Sequence, residues 1–152
     1  MSDASVRRAG RLSGLRANAL AALVMLVLEF GLGVAVNLYA TLPRADHGQQ
    51  LFVAFGSAVT RGPIILTLHA LLGTFLLITA VAALVRAVGA RRVAHITLTA
   101  VALVVIVAAW LSGASFVGDG GAGSSMGMAV ATGVAFLCYV LVLFIAPASP
   151  SA

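Results

Sequence analysis

Glu29, Asn37 and His69 are the residues of this chain whose type and position could do chemistry, because each lies within a long apolar run. Glu29 is the only charged residue between Arg16 and Arg44. It lies about 12 residues, or roughly 18 Å, along a helix that begins near Ala17, close to the middle of a bilayer core. A bare carboxylate there is costly, so this acid either keeps its proton or has a partner. Gly33 and Asn37 follow at i+4 and i+8, and Asn18 falls on nearly the same face. The stripe must point into a bundle. It suits proton or cation handling, or hydrogen bonding to a cofactor. It equally suits an interhelical hydrogen bond that holds helices together, worth about 0.6–2 kcal/mol.

His69 is followed at i+4 by Gly73, with Ala80 further along, so its face of the helix is small. Small residues beside a histidine leave room for a flat ring system such as haem, for which imidazole is a usual axial ligand. They also permit plain close helix packing. A second ligand would be Met126 or Met128, which open the last apolar run at a similar depth. Methionine is also an ordinary filler of apolar gaps. His95, beside Arg91 and Arg92, is expected at an interface, far in depth from His69. His47 and Asp46 are two potential metal ligands on a loop, too few for a site. Cys138 lies in an apolar run and reads as a small buried hydrophobe, with no disulfide or cysteine cluster possible within one chain.

The elements that position these residues follow from composition. Hydrophobic residues make up 62% of the 152 and charged ones 9%, too little polar surface for a soluble domain of this size. Four uncharged or nearly uncharged stretches, about 17–39, 63–85, 93–117 and 125–145, are each long enough to cross a bilayer as a helix. The expected fold is therefore all-α: an integral membrane bundle of four transmembrane helices spanning 17–146. Residues 1–16 form a basic tail expected to fray, and 147–152 form a short tail ended by Pro147 and Pro150.

Orientation follows from arginine, since the nine basic residues include no lysine. Seven lie in the N-terminal tail and between the second and third spans; Arg44 and Arg61 lie on the other side. That bias puts both termini in the cytoplasm. A cleaved signal peptide is the competing reading of the first span. Its length, with Glu29 and Asn37 inside it, favours a retained helix. Absence of lysine beside abundant Ala, Val, Gly and Arg suggests a GC-rich bacterial genome, hence a multi-pass protein of a bacterial inner membrane. The arginines flank apolar runs and act as topology signals, not as a nucleic-acid surface.

Between the spans, Arg86 to Arg92 is expected as a tight polar turn. The stretch from Gly118 to Ser125 is expected as a flexible Gly/Ser turn, since no GK[ST] follows it to make a phosphate loop. The loop from 41 to 62 holds Leu51-Phe52-Val53-Ala54-Phe55, an apolar patch expected to lie at the interface as a short helix, to pack on the bundle, or to dock a partner. Trp110 and Tyr39 fall near helix ends and read as interfacial anchors. Tyr139 lies deeper and is expected to hydrogen-bond inside the bundle.

Two resemblances follow from these residues. His69-Ala-Leu-Leu-Gly73 on the second helix and Ser125-Met-Gly-Met128 opening the fourth resemble four-helix b-type haem membrane proteins, such as each half of haem A synthase. In haem A synthase the fourth-helix ligand is a histidine, where this chain has methionines. The resemblance implies haem b bound by His69 beside Gly73, with Met126 or Met128 opposite. Leu28-Glu29-Phe30-Gly31 resembles the first helix of small multidrug resistance transporters, which implies proton-coupled transport through Glu29.

No nucleophile–base pair, nucleotide loop or metal cluster is visible in the sequence. The leading expectation is a small membrane accessory or binding protein without autonomous enzymatic activity. It would associate with other membrane subunits, or with itself, through small-residue faces such as Gly123-x3-Gly127 and Gly127-x5-Gly133.

Overall fold

The computed structural model describes residues 3–40, 50–119 and 122–145. His47, Asp46, Arg44 and both prolines of the C-terminal tail lie outside the described residues. All regular structure among the described residues is helical: α1 (Asp3–Tyr39), α2 (Leu51–Arg61), α3 (Ile64–Ala90), α4 (Val93–Asp119) and α5 (Ala122–Ile145). Four of the helices are long and apolar enough to cross a membrane.

The helices are longer and the turns shorter than the charge pattern predicts. α1 runs through the basic tail where fraying is expected, because Leu12 and Leu15 are buried against the bundle and the Arg86 guanidinium donates to the Gly14 carbonyl at 2.8 Å. α3 continues past Arg86 to Ala90, since Ala87 and Ala90 are buried and give its last turns something to pack on. The reversal is confined to Arg91 and Arg92. Arg91 adopts the left-handed conformation (φ 54°) and donates its backbone N–H to the Val88 carbonyl, capping the helix. Gly118 and Asp119 complete α4, and Gly123, Ser124 and Ser125 already belong to α5. The expected Gly/Ser loop is mostly helix.

Each long helix runs antiparallel to its neighbours: α1 packs against α3 and α5, and α4 against α3 and α5. The start of α1 and the end of α5 thus lie at one end of the bundle, with Arg86, Arg91 and Arg92; we term it the basic end, and the other the loop end. In the basic half the core is built of alanine. Ala19, Ala22, Ala80, Ala83, Ala87, Ala102 and Ala135 are fully buried, so the backbones approach closely and dispersion holds them. Tyr139 is the largest side chain fitted among them, and Cys138 is buried beside it as expected. In the loop half the helices are lined by Gly33, Gly73 and Gly113 together with Trp110 and Phe116, and the packing leaves a cavity.

α2 packs on α3 and α4 at the loop end. Its Phe55 ring sits 4.9 Å from Trp110 at 45°, while Phe52 and Val53 face outward. Of the three roles open to this segment, packing on the bundle is the one observed. Trp110 is correspondingly turned inward and not splayed as an anchor, whereas Tyr39 is exposed at the end of α1.

Candidate functional site: an acid–histidine pair in an apolar cavity

α1 and α3 cross antiparallel with a polar contact at three levels. Nearest the basic end is the Arg86–Gly14 bond; next, the Asn18 amide donates to the Thr79 carbonyl at 2.9 Å. Towards the loop end, Glu29 Oε1 lies 3.1 Å from His69 Nδ1. The partner that the sequence left unidentified for Glu29 is thus His69. Both side chains are mostly buried, at 13% and 18% exposure. The distance is that of an ion pair, but the ring N–H is not aligned on the oxygen, so Nδ1 makes no well-formed hydrogen bond. Glu29 Oε2 is buried with no hydrogen-bond partner at all.

Two glycines create this contact. A Cβ placed on Gly73 would lie 2.8 Å from Glu29 Oε1, and one on Gly33 would lie 3.3 Å from His69 Cε1. Each titratable side chain occupies the gap left by the glycine that follows its partner at i+4. Side chains on a helix lean towards its N-terminus, and across an antiparallel pair the two lean past each other, which makes the arrangement reciprocal.

The pair opens onto a cavity of about 190 Å³ whose walls are mainly apolar. Leu26, Leu76 and Ile106 form its floor; Trp110, Phe55 and Phe116 line its loop-end half. Asn37 reaches its rim, donating to Ser125 Oγ at 2.9 Å and tying the end of α1 to the start of α5. Trp110 Nε1 points to Thr74 Oγ1 at 3.4 Å. The cavity resembles in size the roughly 150 Å³ apolar cavity that accepts benzene, and lies below the roughly 300–1,000 Å³ of sites for drug-sized ligands.

Of the residues singled out in the sequence, Glu29, Asn37, His69, Gly73 and Met128 meet at this cavity. Met126 does not: it is 71% exposed on the outer face of α5. Met128 lines the cavity, but its sulfur lies against Gly113, where a Cβ would approach within 3.2 Å. No group of three or more metal-binding side chains occurs among the described residues.

Two side chains of the basic half, His95 and Tyr139, are buried with polar atoms unpartnered. His95 points into the bundle and is fully buried, and neither ring nitrogen has a partner; Thr99, also buried, bonds back to the His95 carbonyl at 2.8 Å. Tyr139 is fully buried as expected, but its hydroxyl has no partner. Alanine walls supply bulk-free space and no acceptor. The small-residue faces also divide: Gly127 packs against Ser112 of the same chain, whereas Gly123 and Gly133 face open space.

No protein-family model, curated protein or solved structure matches this chain.

Proposed function

We propose that this chain is a small multi-pass protein of a bacterial cytoplasmic membrane, with both termini inside, that binds a small and mainly apolar molecule in the Glu29–His69 cavity. The carrying observation is the 3.1 Å contact between two titratable side chains in a mainly apolar cavity. Functional polar groups within membrane spans face a bundle interior or cavity and pair with one another. A ligand pocket is characteristically apolar with a few convergent polar groups. Nothing in the cavity supplies a nucleophile with an adjacent base, which favours a binding or accessory role over autonomous catalysis.

Trp110 is the only tryptophan and lines the cavity, so binding has an intrinsic reporter. Iodobenzene, an apolar heavy-atom quencher, is expected to quench its fluorescence saturably in purified protein. Ala109→Phe, which fills the cavity, should leave only linear, collisional quenching. Linear quenching in the native protein would overturn the binding reading.

Proton-coupled transport is a second reading, favoured by the proximity of Glu29 to His69, which permits a proton to be shared between them. Its mark is proton release on ligand addition that disappears in Glu29→Gln. Ligand binding without proton release would leave the protein a binder and not a carrier.

A further inference from the structure

The binding reading leaves the ligand's chemistry open, and three features of the same cavity narrow it. The first is the missing donor. The Glu29 carboxyl lines the cavity and its Oε2 has no hydrogen-bond partner, and leaving such a group unpaired is costly. A molecule bearing an O–H or N–H would satisfy it. The second is charge. Among the described residues lining the cavity Glu29 is the only acid, and the His69 imidazole already lies 3.1 Å from it, so there is no second carboxylate to help hold a cation. A neutral hydroxyl meets the need of the Glu29 carboxyl without leaving a charge uncompensated in apolar surroundings. The third is shape. The cavity of about 190 Å³, with Trp110, Phe55 and Phe116 in its loop-end half, accommodates one six-membered aromatic ring, which can stack on or meet those rings edge-on.

The route in is also visible. Phe30 and Val34 of α1 and Ala129 of α5 line the cavity and are exposed on the outer surface of the bundle. All three lie within the apolar spans Leu12–Tyr39 and Gly123–Ile145. The cavity therefore has a side mouth between α1 and α5, at a depth where the surroundings are hydrocarbon. A ligand using it is dissolved in the bilayer.

We propose that the cavity takes the neutral phenolic or hydroquinone ring of a membrane-dissolved molecule, entering between α1 and α5 and donating its hydroxyl to the Glu29 carboxyl. The proposal rests on the binding reading and concerns association only.

The test uses the full chain in phosphatidylcholine nanodiscs with Trp110 as reporter and three ring probes that quench it: 4-bromophenol, 4-bromoanisole and (4-bromobenzyl)trimethylammonium. The first two share a ring and differ in the hydroxyl donor; the third is a permanent cation. With concentrations corrected for partitioning, 4-bromophenol is expected to bind at least about tenfold tighter than 4-bromoanisole, since a hydrogen bond to a charged or strongly polar group contributes that much. Glu29→Gln should bring the two to within about twofold. The comparison of probes on the native protein needs no variant, so a poorly folding Glu29→Gln does not remove the test. Equal saturable binding of phenol and anisole would overturn the phenol assignment while leaving the binding reading intact. Tightest binding by the ammonium probe would overturn the neutral-ligand argument. Absence of saturation for all three would remove the binding reading itself. For the side mouth, Val34→Phe with Ala129→Phe is expected to slow 4-bromophenol association at least fivefold. An unchanged rate would place the entrance elsewhere.

Discussion

Glu29 and His69 meet at 3.1 Å because each lies against a glycine of the other's helix. Glu29 occupies the gap over Gly73 and His69 that over Gly33, so the motif x-x-x-x-Gly is used twice, in opposite directions, by two antiparallel helices. The two halves are not equally tight. The approach to Gly73 leaves no room for a methyl, whereas that to Gly33 is only slightly closer than an ordinary contact.

The asymmetry separates two conservative substitutions. Gly73→Ala is expected to push the Glu29 carboxylate off His69 and reproduce the ligand-binding loss of Glu29→Gln. Its stability change should stay within about 1 kcal/mol, because the displaced atom is the free end of a flexible chain. Gly33→Ala should bind within a few-fold of the native protein. Trp110 quenching titrations on both variants check this, and equal losses would contradict it.

The buried, unpartnered Tyr139 hydroxyl gives a prediction of unusual sign. Tyr139→Phe removes a group that lost its water on burial and gained nothing, so it should stabilise the protein by about 1 kcal/mol. Tyr139→Ala vacates the largest side chain of the alanine-walled core and should cost about 3–5 kcal/mol. Reversible unfolding in mixed micelles measures both. Destabilisation by Tyr139→Phe would mean that the hydroxyl has a partner.

The Asn37–Ser125 bond ties the end of α1 to the start of α5 at the loop-end rim of the cavity. Asn37→Ala should lower stability by about 0.6 kcal/mol, the usual worth of an interhelical side-chain hydrogen bond in a membrane. Ser125→Ala should match it, and the double variant should cost no more than either alone. Additive costs, read in the same unfolding assay, would show that the two residues do not act together.

Orientation is open to direct labelling. Cys138 is only 7% exposed, so it should stay silent to a membrane-impermeant maleimide. A cysteine replacing Gln50 is expected to react in intact spheroplasts, and one appended to the C-terminus only after lysis, in line with seven arginines at the basic end. The reverse pattern would invert the topology.

How far the sequence carries can be judged residue by residue. The spans were legible, because hydropathy over 20 residues reports directly on burial in hydrocarbon. The shared face of Glu29, Gly33 and Asn37 was legible from the helical period, although Asn37 is exposed at the cavity rim. The pairing of Glu29 with His69 was not. Judged from helix ends, Glu29 falls near the middle of the membrane and His69 in its outer third. That estimate assumes that helices start and stop level. Gly14 faces Arg86 and Asn18 faces Thr79, a register in which α1 outruns the start of α3 by about one turn. Register of this kind comes from packing between helices, and nothing local in either segment encodes it. The burial of His95 escaped for a related reason. Its charged neighbours describe the depth of the residue, while the direction in which it points depends on where α3 and α5 sit. Gly33 and Gly73 carried a usable signal, each four residues after the only titratable group deep in its span.

The most direct test of the central claim, that Glu29 and His69 act as one unit, is a double-mutant cycle with Glu29→Gln and His69→Gln, measured as unfolding free energy in mixed micelles. The expected coupling is at least about 1 kcal/mol, with the double variant less damaged than the sum of the singles. Additivity within about 0.3–0.5 kcal/mol, the value for residues that do not touch, would contradict it.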